Sequence, residues 1–470
     1  MVDSPFCDQL GDRITPWELG YSLMGELIKT EVLDVLRYAM KTLVEWKDRP
    51  DRKPLIIRGA RQVGKTWLMR EFGSANYPKV AYINCDSNRQ LAALFEDDLD
   101  VERLLTAFQI VAGTSITAPD TLVILDEVQE IPRALASLKY FNENAPEYPI
   151  VAAGSMLGIA MHQGTSFPVG KVEFMNLYPL SFTEFLNATG NAPLVELLRG
   201  QKFDIITPFK AKYVDLLRQY YYIGGMPEAV AAFVERRDFS EVRRIHSRLL
   251  DAYEQDFSKH APIEIVPRIR MLWDSVPAQL GKENRKFMYG HIREGARAKE
   301  FELAMQWLLD CGLIHKVERV SKPGMPLSAY WDSGSFKLCM LDVGLMAAKS
   351  GLDAKTLIEG NRVFAEFKGA LTEQYVHQQL LSDCDIAPAY WSADKATAEV
   401  DFVFQHGMEV YPLEVKAEEN LKAKSLRRYA EKYEPRLSIR TSMSDYRKED
   451  WMVNVPLYAI GTLVETLGQV

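Results

Sequence analysis

Residues 59–66 carry the clearest chemical signal in the chain. They read Gly-Ala-Arg-Gln-Val-Gly-Lys-Thr, which is the Gly-x4-Gly-Lys-Ser/Thr spacing of a phosphate-binding loop. Gly59 and Gly64 allow a backbone that a Cβ atom would block, so the loop N–H groups can surround phosphate oxygens. Lys65 is expected to reach the β- and γ-phosphates of ATP, and Thr66 to bind Mg²⁺. The predicted ATP-binding residues are Gly59, Ala60, Arg61, Gln62, Val63, Gly64, Lys65 and Thr66.

A second motif supplies the acids that ATP hydrolysis requires. Residues 121–125 are Thr followed by four aliphatic residues, and Asp126 and Glu127 come directly after them. Two adjacent carboxylates repel each other unless a cation lies between them. We therefore expect Asp126 to bind Mg²⁺ and Glu127 to be the base that orients the attacking water. An acidic loop that merely follows a core strand is the alternative.

A third motif ends in a small polar residue. The segment 149–155 is apolar up to Gly154-Ser155. We expect Ser155 to hydrogen-bond the γ-phosphate or the attacking water, and so to report loss of the phosphate to the segment that follows. Gly-Ser after a strand is also common turn chemistry, which is the simpler interpretation.

These motifs need strands that end at one edge of a sheet. Short apolar runs at 55–57, 80–84, 121–125 and 149–153 predict strands, and residues 67–72 predict a helix directly after the phosphate-binding loop. Strands and helices alternate from residue 55 to residue 160, which predicts a parallel sheet with helices on both faces.

Composition sets the limits for the rest of the chain. The 470 residues are enough for about three domains, and 47% hydrophobic with 26% charged residues is typical of a folded soluble protein. The net charge of -8 gives no general attraction to nucleic acid. The five cysteines lack the spacing of a zinc or redox site, and the N-terminus lacks a signal-peptide pattern. We expect a cytoplasmic protein that contacts no membrane.

The middle of the chain has a different sequence pattern. Residues 195–260 predict helices, interrupted by the Gly-Gly-Met-Pro turn after three consecutive tyrosines. We interpret these helices as a lid on the nucleotide site. Residues 265–350 predict a helix at 301–309, a strand at 313–320 and a turn, the order of a winged-helix module. The possible phosphate-contacting residues there are Lys282, Arg285, Lys286, Arg293, Arg297 and Lys299. A solvated surface or a protein-binding module is the alternative.

Five motifs together resemble a widespread prokaryotic family. They are RGARQVGKT (58–66), LVILDEVQEIP (122–132), VAAGSMLGI (151–159), YPLSFTEFL (178–186) and YIGGMPEAV (222–230). This set is similar to ATPases of the AAA+ superfamily that carry a C-terminal domain of unassigned function, and the similarity runs from about residue 36 to the end. The resemblance implies that ATP hydrolysis drives or gates a conformational change.

The resemblance also implies an arginine finger from a neighbouring subunit, and hence a homo-oligomer. In this family an arginine often follows a glycine shortly before the Pro-Leu-Ser-Phe segment, but this chain has Lys171 after Gly170. Lysine cannot donate the two parallel hydrogen bonds of the planar arginine guanidinium. Arg133 is the weaker substitute candidate.

The C-terminal part contains a second cluster of acids. Asp401 lies in an alternating segment, 399–404, and Glu414 and Lys416 lie in a second one, 409–416. If these segments form a hairpin about His406-Gly407, Asp401 lies beside Glu414, where both could bind Mg²⁺ and Lys416 could steady a water or hydroxide. A surface ion pair is the alternative.

This pattern resembles the D…E-x-K signature of PD-(D/E)xK nucleases. Glu373 matches the acid that such folds supply from their first helix, which makes Glu373, Asp401 and Glu414 the implied metal ligands and Lys416 the implied catalytic lysine. Lys422, Lys424, Arg427 and Arg428 in the following helix suit phosphates.

The overall fold prediction is an α/β protein. Its parts are an N-terminal extension (1–35), an AAA+ P-loop core (36–195), a helical lid (196–264), a winged-helix module (265–350) and a restriction-endonuclease-like α/β domain (351–470). The expected function is Mg²⁺-dependent ATP hydrolysis that acts on DNA, either branched or duplex, with cleavage by the C-terminal domain left open. The alternative is a slow ATP-dependent signalling switch whose C-terminal domains bind proteins.

Overall fold

The computed structural model describes residues 37–86, 88–155, 157–158, 168–281, 286–355, 365–393, 398–419 and 423–469. The predicted N-terminal extension and three of the predicted phosphate-contacting residues, Lys282, Arg285 and Lys422, therefore lie outside the described residues. All described residues belong to one compact unit, Val35–Val470.

The N-terminal part forms a parallel sheet of five described strands. These are β1 (Leu55–Arg58), β2 (Lys79–Asn84), β3 (Thr121–Asp126), β4 (Ile150–Gly154) and β5 (Glu173–Asn176). Their order in the sheet is β2-β3-β4-β1-β5, and every neighbouring pair is parallel. All six residues of β3 are buried, because a central strand of a parallel sheet is covered on both faces. The four strands expected from the apolar runs are confirmed.

Helices cover both faces of this sheet. They are α1 (Ala39–Asp48), α2 (Lys65–Asn76), α3 (Arg89–Asp97), α4 (Val101–Ala112) and α5 (Pro132–Asn144). One face packs through residues such as Leu68 and Phe72, and the other through Phe95, Phe108 and Phe141. The α/β class with a parallel core, typical of P-loop ATPases, is therefore as the sequence predicts.

The middle of the chain is helical, as expected. Its helices are α6 (Phe182–Ala188), α7 (Ala192–Arg199), α8 (Phe203–Ile206), α9 (Lys210–Ile223), α10 (Pro227–Arg236), α11 (Phe239–His260), α12 (Val266–Leu280) and α13 (Ala298–Asp310). Tyr220, Tyr221 and Tyr222 end α9 and are all buried, so they belong to the core that these helices share with the parallel sheet.

A second sheet of eight described strands lies in the C-terminal half. Its strands are β6 (Ile314–Val320), β7 (Trp331–Met340), β8 (Ala389–Ser392), β9 (Glu399–His406), β10 (Glu409–Val415), β11 (Ser438–Ser442), β12 (Arg447–Lys448) and β13 (Met452–Pro456). The order is β12-β13-β11-β10-β9-β8-β6-β7, with parallel and antiparallel pairs. The helices of this half are α14 (Val343–Lys349), α15 (Ala365–Ser382), α16 (Lys424–Tyr433) and α17 (Leu463–Gln469).

The predicted winged-helix segment shares this sheet. Its strand at 313–320 is confirmed as β6, and β6 pairs both with β7 and with β8, which lies beyond the predicted boundary at residue 350. The sheet is thus continuous across that boundary. The division into a module at 265–350 and a domain at 351–470 stays a prediction.

Candidate functional site

The phosphate-binding loop connects β1 to α2 as the motif requires. Gly59 has φ +156, and a Cβ atom there would lie 2.2 Å from the carbonyl oxygen of Leu177, so the loop can pass this segment only with glycine. Gly64 has φ +94, a left-handed conformation that side chains rarely adopt. The helix begins at Lys65, which leaves the first N–H groups of α2 directed at the loop.

Lys65 is held by the loop itself. Its Nζ donates to the carbonyl oxygens of Gly59 at 2.9 Å and of Ala60 at 2.8 Å. Burial lowers the pKa of Lys65 to about 8, although the charges of Glu127 and Asp126 act in the opposite direction. A buried ammonium whose hydrogen-bond partners are neutral carbonyls is well placed to exchange them for a phosphate anion.

Thr66 and Asp126 lie side by side. The Thr66 hydroxyl donates to Asp126 Oδ2 at 2.7 Å, and the Tyr82 hydroxyl donates to the same oxygen at 2.9 Å. The backbone N–H of Glu127 donates to Asp126 Oδ1 at 3.0 Å. A hydroxyl and a carboxylate in contact at a phosphate-binding loop are the oxygen donors that Mg²⁺ prefers, so these residues fit the metal that accompanies ATP.

Glu127 and Ser155 also meet, at the ends of β3 and β4. The Ser155 hydroxyl lies 3.4 Å from Glu127 Oε2, which also accepts a 2.7 Å hydrogen bond from Gln129 Nε2. Glu127 has φ +50, so the backbone turns sharply directly after Asp126. The structure thus brings together Thr66, Asp126, Glu127 and Ser155 around the loop that carries Lys65. Gln129 was missed by the sequence interpretation, although it stands two residues after Glu127.

Arg37 is a second residue that sequence reasoning missed. It is buried and donates to the carbonyl oxygens of Val63 at 3.0 Å and Tyr178 at 2.6 Å, and its Nε lies 3.2 Å from Glu184 Oε1. Glu184 also closes the capping box of α6 with Ser181. Arg37 therefore connects the phosphate-binding loop to the Pro-Leu-Ser-Phe segment. No local pattern distinguishes it from other arginines in the sequence.

That segment is in turn tied to the C-terminal half. The backbone N–H of Phe182 donates to Gln379 Oε1 at 2.7 Å, and the Thr183 hydroxyl donates to Asp383 Oδ2 at 2.9 Å. Gln379 belongs to α15, and Asp383 follows directly after the last residue of that helix. Burial, with the nearby charge of Glu184, raises the pKa of Asp383 to about 7. Through Arg37 and this segment, the phosphate-binding loop is connected to the helix that carries Glu373.

The two residues considered for an arginine finger are engaged elsewhere. Lys171 Nζ lies 3.0 Å from Glu143 Oε1, and Arg133 Nε donates to the carbonyl oxygen of Phe95. Arg61, inside the phosphate-binding loop, forms an ion pair with Asp256 of α11. The sequence identified Arg61 only by its position in the loop.

The C-terminal acids lie on the hairpin that the sequence predicts. β9 and β10 pair in antiparallel fashion, with Glu409 opposite His406 and Leu413 opposite Phe402. Asp401 Oδ2 accepts a 2.7 Å hydrogen bond from the backbone N–H of Val415, so Asp401 lies next to the strand that carries Glu414. Lys416 Nζ lies 2.6 Å from Glu414 Oε1.

A second lysine enters this cluster from β7. Lys337 is 2% exposed, and its Nζ lies 2.6 Å from Glu399 Oε1 and 3.7 Å from Glu373 Oε2. Burial and the charge of Asp401 raise the pKa of Glu414 to about 7, while Lys416 and Lys337 oppose this shift. The sequence interpretation missed Lys337, because Lys337 lies more than sixty residues before the hairpin in the chain and its strand carries no motif.

The acids of this second cluster are already paired. Among the residues that the structure describes, no group of three or more His, Cys, Asp or Glu side chains is placed to hold one metal ion. Lys337 approaches Glu373, Lys416 binds Glu414, and a backbone N–H binds Asp401. As arranged, Glu373, Asp401 and Glu414 do not form a shared metal site.

Three segments of the chain match known protein families. Residues 51–186 match the family described as AAA domain, residues 214–356 match Domain of unknown function (DUF8612), and residues 368–460 match Domain of unknown function (DUF4143). The first match covers the phosphate-binding loop, Asp126, Glu127 and Ser155. Residues 51–186 are therefore similar to AAA domains. No curated protein matches the chain significantly.

The solved structures that match the chain include three with 12–14% identity. The Walker-type ATPase PABY2304 of Pyrococcus abyssi has 14% identity and a TM-score of 0.42, and the match covers 67% of this chain and 96% of that chain. Aeropyrum pernix ORC1 in complex with DNA has 14% identity, a TM-score of 0.29 and coverages of 68% and 93%. Thermotoga maritima RuvB, the Holliday junction branch migration motor, has 12% identity, a TM-score of 0.27 and coverages of 59% and 87%. Similarity at this level says nothing about partners.

Helix length and hydropathy were also compared with the needs of a membrane span. Among the described helices, none is both long enough and apolar enough to cross a bilayer.

Proposed function

We propose that this chain is an ATPase that binds ATP with Mg²⁺ at residues 59–66 and hydrolyses it. One observation carries the proposal: the hydroxyl of Thr66, the carboxylates of Asp126 and Glu127, and the hydroxyl of Ser155 meet beside the loop that holds Lys65. The AAA domain match over residues 51–186 supports it.

Each residue then has a defined task. Lys65 exchanges the carbonyl oxygens of Gly59 and Ala60 for phosphate oxygens, and its charge stabilises the triphosphate. Glu127 accepts a proton from the attacking water and orients it, while Ser155 fixes the water or the γ-phosphate from the other side. Thr66 and Asp126 would hold Mg²⁺, which would supply charge neutralisation for the phosphates.

The experiment is phosphate release by the purified full-length chain with ATP and Mg²⁺. We expect turnover by the wild type and a loss of at least about 100-fold in Lys65→Ala, because the charge that stabilises the transferred phosphate is gone. Lys41→Ala is the matched control, since the Lys41 side chain is 83% exposed on α1 and its ion pair is with the exposed Glu45. Equal rates in Lys65→Ala and wild type would refute the assignment.

We propose further that hydrolysis acts on nucleic acid. The exposed face of α16 carries Lys424, Arg427, Arg428 and Lys432, and Arg293, Arg297 and Lys299 are exposed in and before α13. Clusters of exposed cations on a chain of net charge -8 are local sites at which phosphates can bind. Branched and duplex DNA, together with assembly into a homo-oligomer, belong to this proposal.

Cleavage of that DNA is a separate part of the proposal. Asp401, Glu414 and Lys416 occupy the positions of the D…E-x-K pattern, but Mg²⁺ would have to displace Lys416 from Glu414 before it could bind there. Incubation of branched and linear DNA with Mg²⁺ or Mn²⁺ tests this step. Cleavage that disappears in Asp401→Ala and Lys416→Ala assigns the activity to this site. Cleavage that survives both changes belongs to a contaminant.

The alternative function is a slow ATP-dependent switch that binds proteins. It is favoured by the exposed apolar side chains of Met325 (45%), Trp331 (53%) and Met408 (83%), since Met325 and Met408 border the same shallow groove beside Tyr429. A salt titration distinguishes the functions. DNA affinity that falls steeply with salt supports phosphate contacts, and a chain without DNA affinity at low salt supports the switch.

A further inference from the structure

The phosphate-binding loop contains an arginine for which the proposed mechanism has no task. The guanidinium of Arg61 forms an ion pair with Asp256 of α11, and the two side chains are 33% and 11% exposed. The main chain of the same residue is held by the same helix, because the hydroxyl of Tyr253 donates to the carbonyl oxygen of Arg61 at 3.0 Å. Helix α11 is thus attached to the loop at one residue through two contacts.

The charge of Arg61 interacts with that of Glu127, the proposed base. Burial opposes its charged form, yet the hydrogen bond with Asp256 and the charges of Asp256, Glu127 and Glu130 raise its pKa above the ordinary value. The charge of Arg61 in turn contributes to the lowered pKa of Lys65. The guanidinium therefore lies within electrostatic reach both of the proposed base and of the lysine that binds phosphate.

Three other described cations are occupied elsewhere. Lys171 pairs with Glu143, Arg133 donates to a main-chain carbonyl, and Arg37 is fixed between Val63, Tyr178 and Glu184. Arg61 differs from them because its ion-pair partner, Asp256, belongs to a helix of the predicted lid. A triphosphate, which carries several negative charges, competes directly with one carboxylate for that guanidinium.

We propose that Arg61 supplies, from within the same chain, the guanidinium that stabilises the γ-phosphate during hydrolysis, and that Asp256 holds this guanidinium in the nucleotide-free state. The proposal rests on the ATPase function proposed above. Guanidinium donates two parallel N–H bonds, which matches phosphate oxygens as it matches carboxylate oxygens. Transfer of Arg61 from Asp256 to the phosphate breaks one of the two contacts between the loop and α11, so ATP binding is converted into loss of a contact between the loop and the helix.

The first experiment separates binding from turnover. We expect Arg61→Ala and Arg61→Lys each to lower kcat by about 100-fold or more, with the Kd for ATP changed by less than about 10-fold. Arg61→Lys keeps the positive charge toward Asp256, so it controls for a folding defect, which thermal melting also checks. Arg248→Ala is the matched control on α11, because Arg248 is exposed and pairs with Glu228. A kcat of Arg61→Lys equal to that of wild type would overturn the proposal.

The second variant changes Asp256, which pairs with Arg61 in the proposed nucleotide-free state. Asp256→Asn removes the carboxylate that competes with phosphate, so we expect ATP to bind several-fold more tightly than to wild type. An unchanged or weakened ATP affinity in this variant contradicts the role of Asp256. If Arg61 only stabilises the fold, Asp256→Asn lowers the melting temperature and does not increase the affinity for ATP.

The third experiment tests whether the guanidinium comes from the same chain. A residue supplied within the chain gives a specific activity that does not depend on protein concentration, whereas a finger supplied by a neighbour gives an activity that rises as subunits associate. An activity that rises with concentration and is insensitive to Arg61→Ala overturns the proposal alone. Absence of ATP binding and turnover in wild type overturns the ATPase function and this proposal together.

Discussion

The two acid-and-lysine clusters of this protein differ in what their lysines touch. In the ATP site Lys65 is buried and donates to the neutral carbonyls of Gly59 and Ala60. In the C-terminal cluster Lys337 and Lys416 each lie 2.6 Å from a carboxylate. Similar residue types therefore produce one site whose lysine donates to neutral carbonyls and one whose lysines pair with carboxylates. The hydrogen-bond partners of the lysines, rather than the presence of lysine, distinguish a site that can bind phosphate from one that cannot do so without breaking ion pairs.

The direction of the pKa shifts repeats this contrast. Burial lowers the pKa of Lys65 to about 8, which disfavours its charge until an anion arrives. Burial, with the charge of Asp401, raises the pKa of Glu414 to about 7. The ATP site thus gains from added negative charge, and the C-terminal cluster is disfavoured by the negative charge it already holds.

The largest expected effect concerns the chemistry of the ATP site. Glu127→Gln keeps the shape of the side chain and removes the base, so we expect kcat for ATP to fall by about 10²–10⁴-fold with little change in Kd. Steady-state turnover and fluorescent-nucleotide binding measure the two quantities. Glu130→Gln, three residues along the chain, is the matched control. A Glu127→Gln variant with full turnover excludes Glu127 as the base.

The same substitution in the two clusters sharpens the comparison. Lys337→Met leaves Glu399 and Glu373 without their buried cation, so the free energy of unfolding is expected to fall by about 3 kcal/mol or more. Lys65→Met removes an ammonium that binds neutral carbonyls, and we expect a change below about 1 kcal/mol. Chemical denaturation of both variants measures the difference. Equal losses would show that Lys65 is as firmly paired as Lys337.

Proton uptake on ATP binding reports the protonation of Lys65 in the free protein. Near pH 9 the free protein holds Lys65 mostly neutral, because its pKa is about 8, whereas the bound triphosphate favours the charged form. ATP binding is therefore expected to take up close to one proton near pH 9 and almost none near pH 7. Calorimetry in two buffers of different ionisation enthalpy measures the uptake. Lys65→Arg, which stays charged, should show none at either pH.

The smallest effect is expected in the C-terminal cluster. The folded chain holds a proton on Glu414 up to about pH 7, whereas the unfolded chain releases it near the ordinary value of 4.5. Between these values the folded state binds more protons, so stability falls as pH rises through this window and is level above it. Comparison of unfolding free energies for wild type and Glu414→Gln isolates the contribution. A difference between the two proteins that is constant from pH 4 to about 8 contradicts the raised pKa.

The sequence was most informative where one segment carries both the element and its chemistry. The loop at 59–66, the strand before Asp126 and the hairpin about His406 are all local patterns, and the structure places them as expected. Arg37, Gln129 and Lys337 were missed, because each reaches its site through tertiary packing. The continuous sheet that joins β6 and β7 to β8 was missed for the same reason.

By itself the sequence determined the phosphate-binding loop, the parallel sheet around it and the acids at the ends of its strands. These follow from short-range rules: glycine at strained backbone positions, aliphatic runs in buried strands and polar residues where strands end. Only the tertiary structure decided which cation pairs with which acid, since ion pairs such as Arg61 with Asp256 and Lys337 with Glu399 join residues far apart in the chain. Charge acts through space over a few ångströms, and the folded chain alone sets those distances.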